Sequence, residues 1–122
     1  MIAIIDYDAG NLASVARAVS HLGHANVVTR NVEEIRSADR IIFPGVGAAG
    51  SAMNSLKCLG IDAVLHEAFN QGKPMLGICL GTQIIMGYSE ENQTPCLGII
   101  PGMVRAFSPD LCDSDGKRLK IP

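Results

Sequence analysis

The 122-residue chain has no tryptophan, and aromatic residues make up only 4% of it. A core must therefore be built from Ile, Val, Leu, Ala and Met, within a hydrophobic fraction of 48%. No charge of one sign prevails: 10 Lys and Arg stand against 12 Asp and Glu, and no basic block appears. This argues against nucleic acid as a partner. No apolar run approaches the ~20 residues of a membrane span. The opening MIAIIDYDAGNL lacks a basic leader, and Asp6 and Asp8 interrupt its apolar run, so it does not read as a secretory signal. A soluble, cytoplasmic protein without a membrane partner is expected. Cys58, Cys79, Cys96 and Cys112 form no CxxC pair, so free thiols are expected. His21, His24 and His66 show no ligand spacing with them, and no metal site or cofactor is expected. The DSDG stretch ending at Gly116 lacks the remaining spacing of a calcium loop.

What is present is an alternation of apolar runs and helical periodicities. IAIID at 2–6 reads as a strand buried on both faces. Asn11 can cap a helix carrying Leu12, Val15, Ala16, Val19 and Leu22 on one face, ended by Gly23. NVVT at 26–29 is a second strand, and Asn31 opens a short helix. RIIFPG at 40–45 is a third strand, stopped by Pro44, before a glycine-rich loop and a helix. IDAVLHEAFNQG at 61–72 is an amphipathic helix, KPMLGI a fourth strand, and LGTQIIMGYS a helix. This order predicts one α/β domain over 1–122. Its sheet is mostly parallel, doubly wound and flavodoxin-like, with helices on both faces. In the last third, LGIIPGMVRAFSPD and KRLKIP read as two strands flanking DLCDSDGK, with Asp115-Gly116 as the turn of an antiparallel hairpin.

Ligands of open α/β sheets bind beyond the carboxyl ends of the strands. Three loops leave those ends: DYDAGN, PGVGAAG and GICLGTQ. In KPMLGICLGTQ, Cys79 stands between Gly77 and Gly81, the spacing of a nucleophile on a sharp strand-to-helix turn. Small neighbours let the central residue take a strained backbone, and the following helix favours a thiolate. The N–H of Leu80 can then meet a developing oxyanion. The alternative is that the glycines serve close packing alone and Cys79 fills a gap. The glycines of PGVGAAG can expose N–H groups to an anion, or mark only a turn before a helix. Gly45, Gly47 and Gly50 match G-x-G-x-x-G, but after the third strand and without a ribose-binding acid or a GK[ST]. Cys58 and Cys96 read as structural thiols and Cys112 as a surface residue; none of the three histidines reads as a catalytic base.

PGVG followed by GICLGTQ resembles the class I (triad) glutamine amidotransferases. The start IIDYDAGNLASV and the end KRLKIP resemble their histidine-biosynthesis branch, the glutaminase subunit of imidazole glycerol phosphate synthase. Val46 and Thr82 stand where other branches carry proline and histidine; Asp8-Ala9 departs from the glycine and methionine common in this branch. The resemblance implies that Cys79 attacks the side-chain amide of glutamine and that Val46 or Gly47, with Leu80, forms the oxyanion hole. Gln83 would help hold the substrate. Ammonia would pass to a cyclase partner of (β/α)8 barrel fold, with Asn11 near that interface. The family's His and Glu lie well downstream of the elbow, so residues 1–122 are expected to be the N-terminal part of one amidotransferase domain and inactive by themselves. The motifs also fit a paralogue of surface-sugar amination, an elbow-cysteine hydrolase or stress protein, or a flavodoxin-like binding module with an inert cysteine.

Overall fold

A computed structural model describes residues 1–120. Four parallel strands form the main sheet: β1 (Ile2–Ile5), β2 (Asn26–Thr29), β3 (Arg40–Gly45) and β4 (Met75–Cys79), in the order β2-β1-β3-β4. Helix α1 (Leu12–His21) leads from β1 to β2 and α2 (Val32–Ser37) from β2 to β3. α3 (Ala49–Leu59) and α4 (Ile61–Asn70) join β3 to β4, and α5 (Leu80–Ile84) leaves β4 directly. The helix openings follow the sequence. The Asn11 side chain accepts from Ser14 N–H at 3.3 Å, and Asn31 accepts from Glu33 N–H at 2.9 Å. Gly60, at φ 68°, turns the chain between α3 and α4.

The pleat divides the core. Ala3, Ile5, Ile41 and Phe43 pack under α2–α5 with Ile35, Leu56, Ile61, Leu65 and Ile84. Ile4 and Ile42 face α1 through Val19. Helices thus cover both faces, as expected of a doubly wound sheet, but unequally. β4 is an edge strand, and on its α1-facing side Leu76 and Ile78 stay 56% and 39% exposed.

Three sequence expectations need correction. Pro44 does not stop β3, which runs on to Gly45. Ile41 N–H bonds Pro74 O in front of β4, so the ring nitrogen of Pro44 faces the other way, towards β1. There the β1 ladder has already ended, at Ile4 opposite Ile42. The missing N–H therefore has nothing to lose. The helix after the elbow is also shorter than LGTQIIMGYS. It ends at Ile84, and Tyr88–Ser89 becomes β5, flanked by β6 (Thr94–Pro95) and β7 (Met103–Val104) in a second, small sheet. Finally, LGIIPGMVRAFSPD, 97–110, is not a hairpin arm, because its one strand, β7, pairs parallel with β5. The antiparallel hairpin is confined to a tight turn with one bridge, Cys112 to Arg118, closed by Leu119 N–H to Leu111 O at 2.8 Å. The end of the KRLKIP strand, Ile121 and Pro122, lies outside the described residues.

Candidate active site

β1 and β3 are neighbours whose chains leave towards opposite faces, β1 into α1 and β3 into α3. The crevice of a doubly wound sheet opens at such a switch point. The DYDAGN and PGVGAAG loops flank it, and a cavity of about 220 Å³ lies between them, bounded by Tyr7, Asp8, Ala9, Val46, Gly47 and the first turns of α3. Cys79 does not line this cavity; it stands at the end of β4 as the register partner of Gly45, the residue before Val46.

Cys79 is the last residue of β4 and caps α5 with φ 55° and ψ −114°. Non-glycine residues hold such angles only under constraint, at a cost of about 1–3 kcal/mol. The constraint is local packing. Leu80 and Ile84 are buried in the core, while the Cys79 side chain is exposed. A Cβ on Gly81 would overlap the carbonyl oxygen of Phe43, and one on Gly77 would lie 3.0 Å from Thr82 Cα and N. Both glycines are needed for the close approach of strand and helix. The two sequence readings are therefore compatible: the same tight packing that requires glycines lifts the cysteine out of the sheet. With only five residues, α5 carries a smaller dipole than the sequence suggested.

The loop after β3 places Val46, 59% exposed, and Gly47, at φ 108°, next to the elbow. Leu80 opens α5, so its N–H has no carbonyl one turn back to bond. The glycine-rich loop offers fewer N–H groups than its composition implied. Ala49 N–H donates to Glu91 at 2.8 Å, and Gly50 N–H to the Asn92 side chain at 3.4 Å. A turn 42 residues downstream thus caps α3, whose own Ala48 cap has no side-chain bond. Val46 and Gly47 lie ahead of that cap.

Gln83 lies one turn along α5 and borders a second cavity, of about 380 Å³, with Ser89, Glu90, Glu91, Val104, Arg105 and Ala106. Glu90 fixes the far wall by accepting from Ala106 N–H at 2.8 Å and pairing with Arg105 at 3.7 Å. Sequence reasoning missed Glu90, Glu91 and Arg105. SEEN reads as an ordinary polar turn, and only the second sheet brings Arg105 opposite it.

The remaining candidates separate. Asn11 caps α1 on the same carboxyl edge. In the loop before it, Asp8 holds φ 65°, the kind of backbone glycine favours. Arg30 ties this loop down, bonding Asp6 and Asp8 at 2.7 Å each. The hydrogen bond from Arg30 holds the Asp6 carboxyl below its ordinary range. Cys58 is exposed on α3, not a structural thiol as expected; Cys96 is half-buried and Cys112 exposed. His21 ends α1 and His24 precedes β2, both at the amino edge, and His66 is exposed on α4. None of the three lies at the elbow. Among the described residues no helix is long and apolar enough to cross a membrane, and no cluster of three or more His, Cys, Asp or Glu forms a metal site.

The family model for glutamine amidotransferase class-I matches residues 3–94, from β1 through the elbow to β6. This chain belongs to the class-I glutamine amidotransferase family. Imidazole glycerol phosphate synthase subunit HisH of Nitratidesulfovibrio vulgaris (strain DP4) is 52% identical over 122 residues, covering 100% of this chain and 57% of that protein. The protein of the same name from Pseudomonas putida (strain KT2440) is 46% identical over 123 residues, covering 99% and 57%. The chain thus spans about 57% of the length of the curated relatives it matches. A crystal structure of a glutamine amidotransferase superposes with a TM-score of 0.73 at 19% identity, covering 86% of this chain and 56% of that one. A putative peptidase E protein from Listeria monocytogenes gives 0.59 at 20%, covering 71% and 50%. At those identities the two structures speak to the fold, which they share with this chain.

Proposed function

We propose that this chain is the nucleophile-bearing, N-terminal part of a single amidotransferase domain that hydrolyses glutamine and hands ammonia to a cyclase partner in histidine biosynthesis. The observation that carries it is Cys79, exposed at positive φ between Gly77 and Gly81 and in register with Gly45 of the PGVG loop. The Cys79 thiolate attacks the side-chain carbonyl carbon of glutamine. Negative charge gathers on the oxygen, where N–H groups of Val46 or Gly47 and of Leu80 meet it. The C–N bond breaks, ammonia departs with an added proton, and a γ-glutamyl thioester remains. Water then cleaves the thioester to glutamate and restores the thiol.

The cavity beside Gln83 suits the other end of the substrate. Glu91 offers a carboxylate to the α-ammonium and Arg105 a guanidinium to the α-carboxylate, while Gln83 holds the chain between them. The base and acid of the reaction belong to a downstream His and Glu, as the family resemblance implies. The partner is a (β/α)8-barrel cyclase, docked over the carboxyl edge near Asn11, in the cytoplasm.

A chimera tests this reading. Residues 1–122, spliced in place of the matching part of the Pseudomonas putida relative, are expected to restore histidine-independent growth to a strain lacking that subunit. Cys79→Ala in the same chimera is expected not to. A stable, soluble chimera that fails to complement would overturn the assignment to histidine biosynthesis.

A further inference from the structure

Tyr7 is fully buried, with its ring against Phe43 at a centroid distance of 5.0 Å. Its hydroxyl is a buried side-chain polar atom that finds no hydrogen-bond partner among the described residues. Leaving a buried hydroxyl unpaired is unfavourable, and phenylalanine would fill the same space without that cost. The place of the hydroxyl is specific. It occupies the space where a Cβ of Gly45 would sit, beside Leu80 Cβ, which is 3.1 Å from that same position. Gly45 is the register partner of Cys79, and Leu80 follows Cys79 in the chain. The orphan hydroxyl therefore lies under the elbow, on the pleat side that Gly45 shares with Cys79. Two effects raise the phenol pKa above its ordinary value: burial first, then the negative charge of a Cys79 thiolate.

We propose that Tyr7 is a positioning residue for Cys79, its hydroxyl donating a hydrogen bond to the sulfur once the thiol has ionised. The Cys79 side chain is exposed, and in this assignment its sulfur reaches the phenol by turning about the Cα–Cβ bond. A charged acceptor makes this hydrogen bond a strong one. It draws the sulfur to the side where Gly45 leads into Val46 and Gly47. The absence of a Cβ at Gly45 is then required for the phenol, whose oxygen lies 2.0 Å from where that atom would sit. This assignment rests on the reading of Cys79 as the nucleophile.

The test is alkylation of the 122-residue chain by iodoacetamide at pH 7, mapped by peptide mass, with Cys112 and Cys58 as internal references. In the unsubstituted chain Cys79 is expected to react faster than both. In Tyr7→Phe the Cys79:Cys112 rate ratio is expected to fall about tenfold, the loss of one hydrogen bond to a charged group. The folded chain, followed by circular dichroism, is expected to be at least as stable as before. A second measurement holds if Tyr7→Phe does not fold. Tyr7 and Tyr88 are the only tyrosines, so 3-fluorotyrosine incorporated in a Tyr88→Phe background changes Tyr7 alone. Its more acidic phenol is a better donor of the same shape, and the ratio is expected to rise. A role in packing alone moves neither ratio, and unchanged ratios overturn the assignment while leaving the nucleophile intact. Cys79 reacting no faster than Cys112 in the unsubstituted chain overturns both.

Discussion

Incubated with glutamine, the 122-residue chain is expected to release glutamate at least about 10⁴-fold more slowly than the chimera that contains it. Triad members act as a unit, and removing the base alone loses most of the rate. The histidines of this chain are His21, His24 and His66, at the amino edge or on the outer face of α4. The elbow lies at the opposite edge, at the end of β4. Among the described residues no histidine lies where it could take the Cys79 proton or return one to the departing ammonia. Coupled detection of glutamate, with Cys79→Ala as the blank, reads the difference. A rate within tenfold of the chimera would mean that another group among these residues serves as base.

Gly81→Ala is expected to be the most damaging single methyl in the chain. Its Cβ would overlap the Phe43 carbonyl oxygen, which belongs to β3 and cannot swing away like a side chain. Overpacking against backbone costs about 3 kcal/mol at the upper end of its usual range, or roughly 10 °C in Tm for a domain of this size. α5 would shift outward, moving Leu80 and Gln83 with it. Gly77→Ala meets Thr82 backbone atoms at 3.0 Å and is expected to cost less. Thermal unfolding of the three chains by circular dichroism orders them. Gly81→Ala as stable as the parent would mean that strand and helix are not in close contact, and the account of the elbow would fail with it.

The sequence carried the main sheet because each strand is a short apolar run ended by a turn residue, and because Asn11 and Asn31 stand where helices begin. It carried the elbow because few arrangements require glycine two residues before and two after a cysteine. Other features depend on partners distant in sequence. Pro44 reads locally as a stop, and only the register of β1 shows that its missing N–H falls where no ladder remains. The capping of α3 by Glu91 and Asn92 spans 42 residues, so PGVGAAG looked freer than it is. β7 pairs with β5 in a parallel ladder of two residues, too short to leave a periodicity. Tyr7 was invisible for another reason. A tyrosine after a strand says nothing until its hydroxyl is found buried against the glycine that faces Cys79.

The central claim is that Cys79 is a nucleophile presented to glutamine. The most direct measurement is peptide-mapped labelling by a glutamine-derived diazo ketone, with and without excess glutamine. The account predicts a covalent adduct on Cys79, absent from Cys58, Cys96 and Cys112, and slowed by glutamine. Labelling spread evenly over the four cysteines, or labelling of Cys79 that glutamine does not slow, would contradict it.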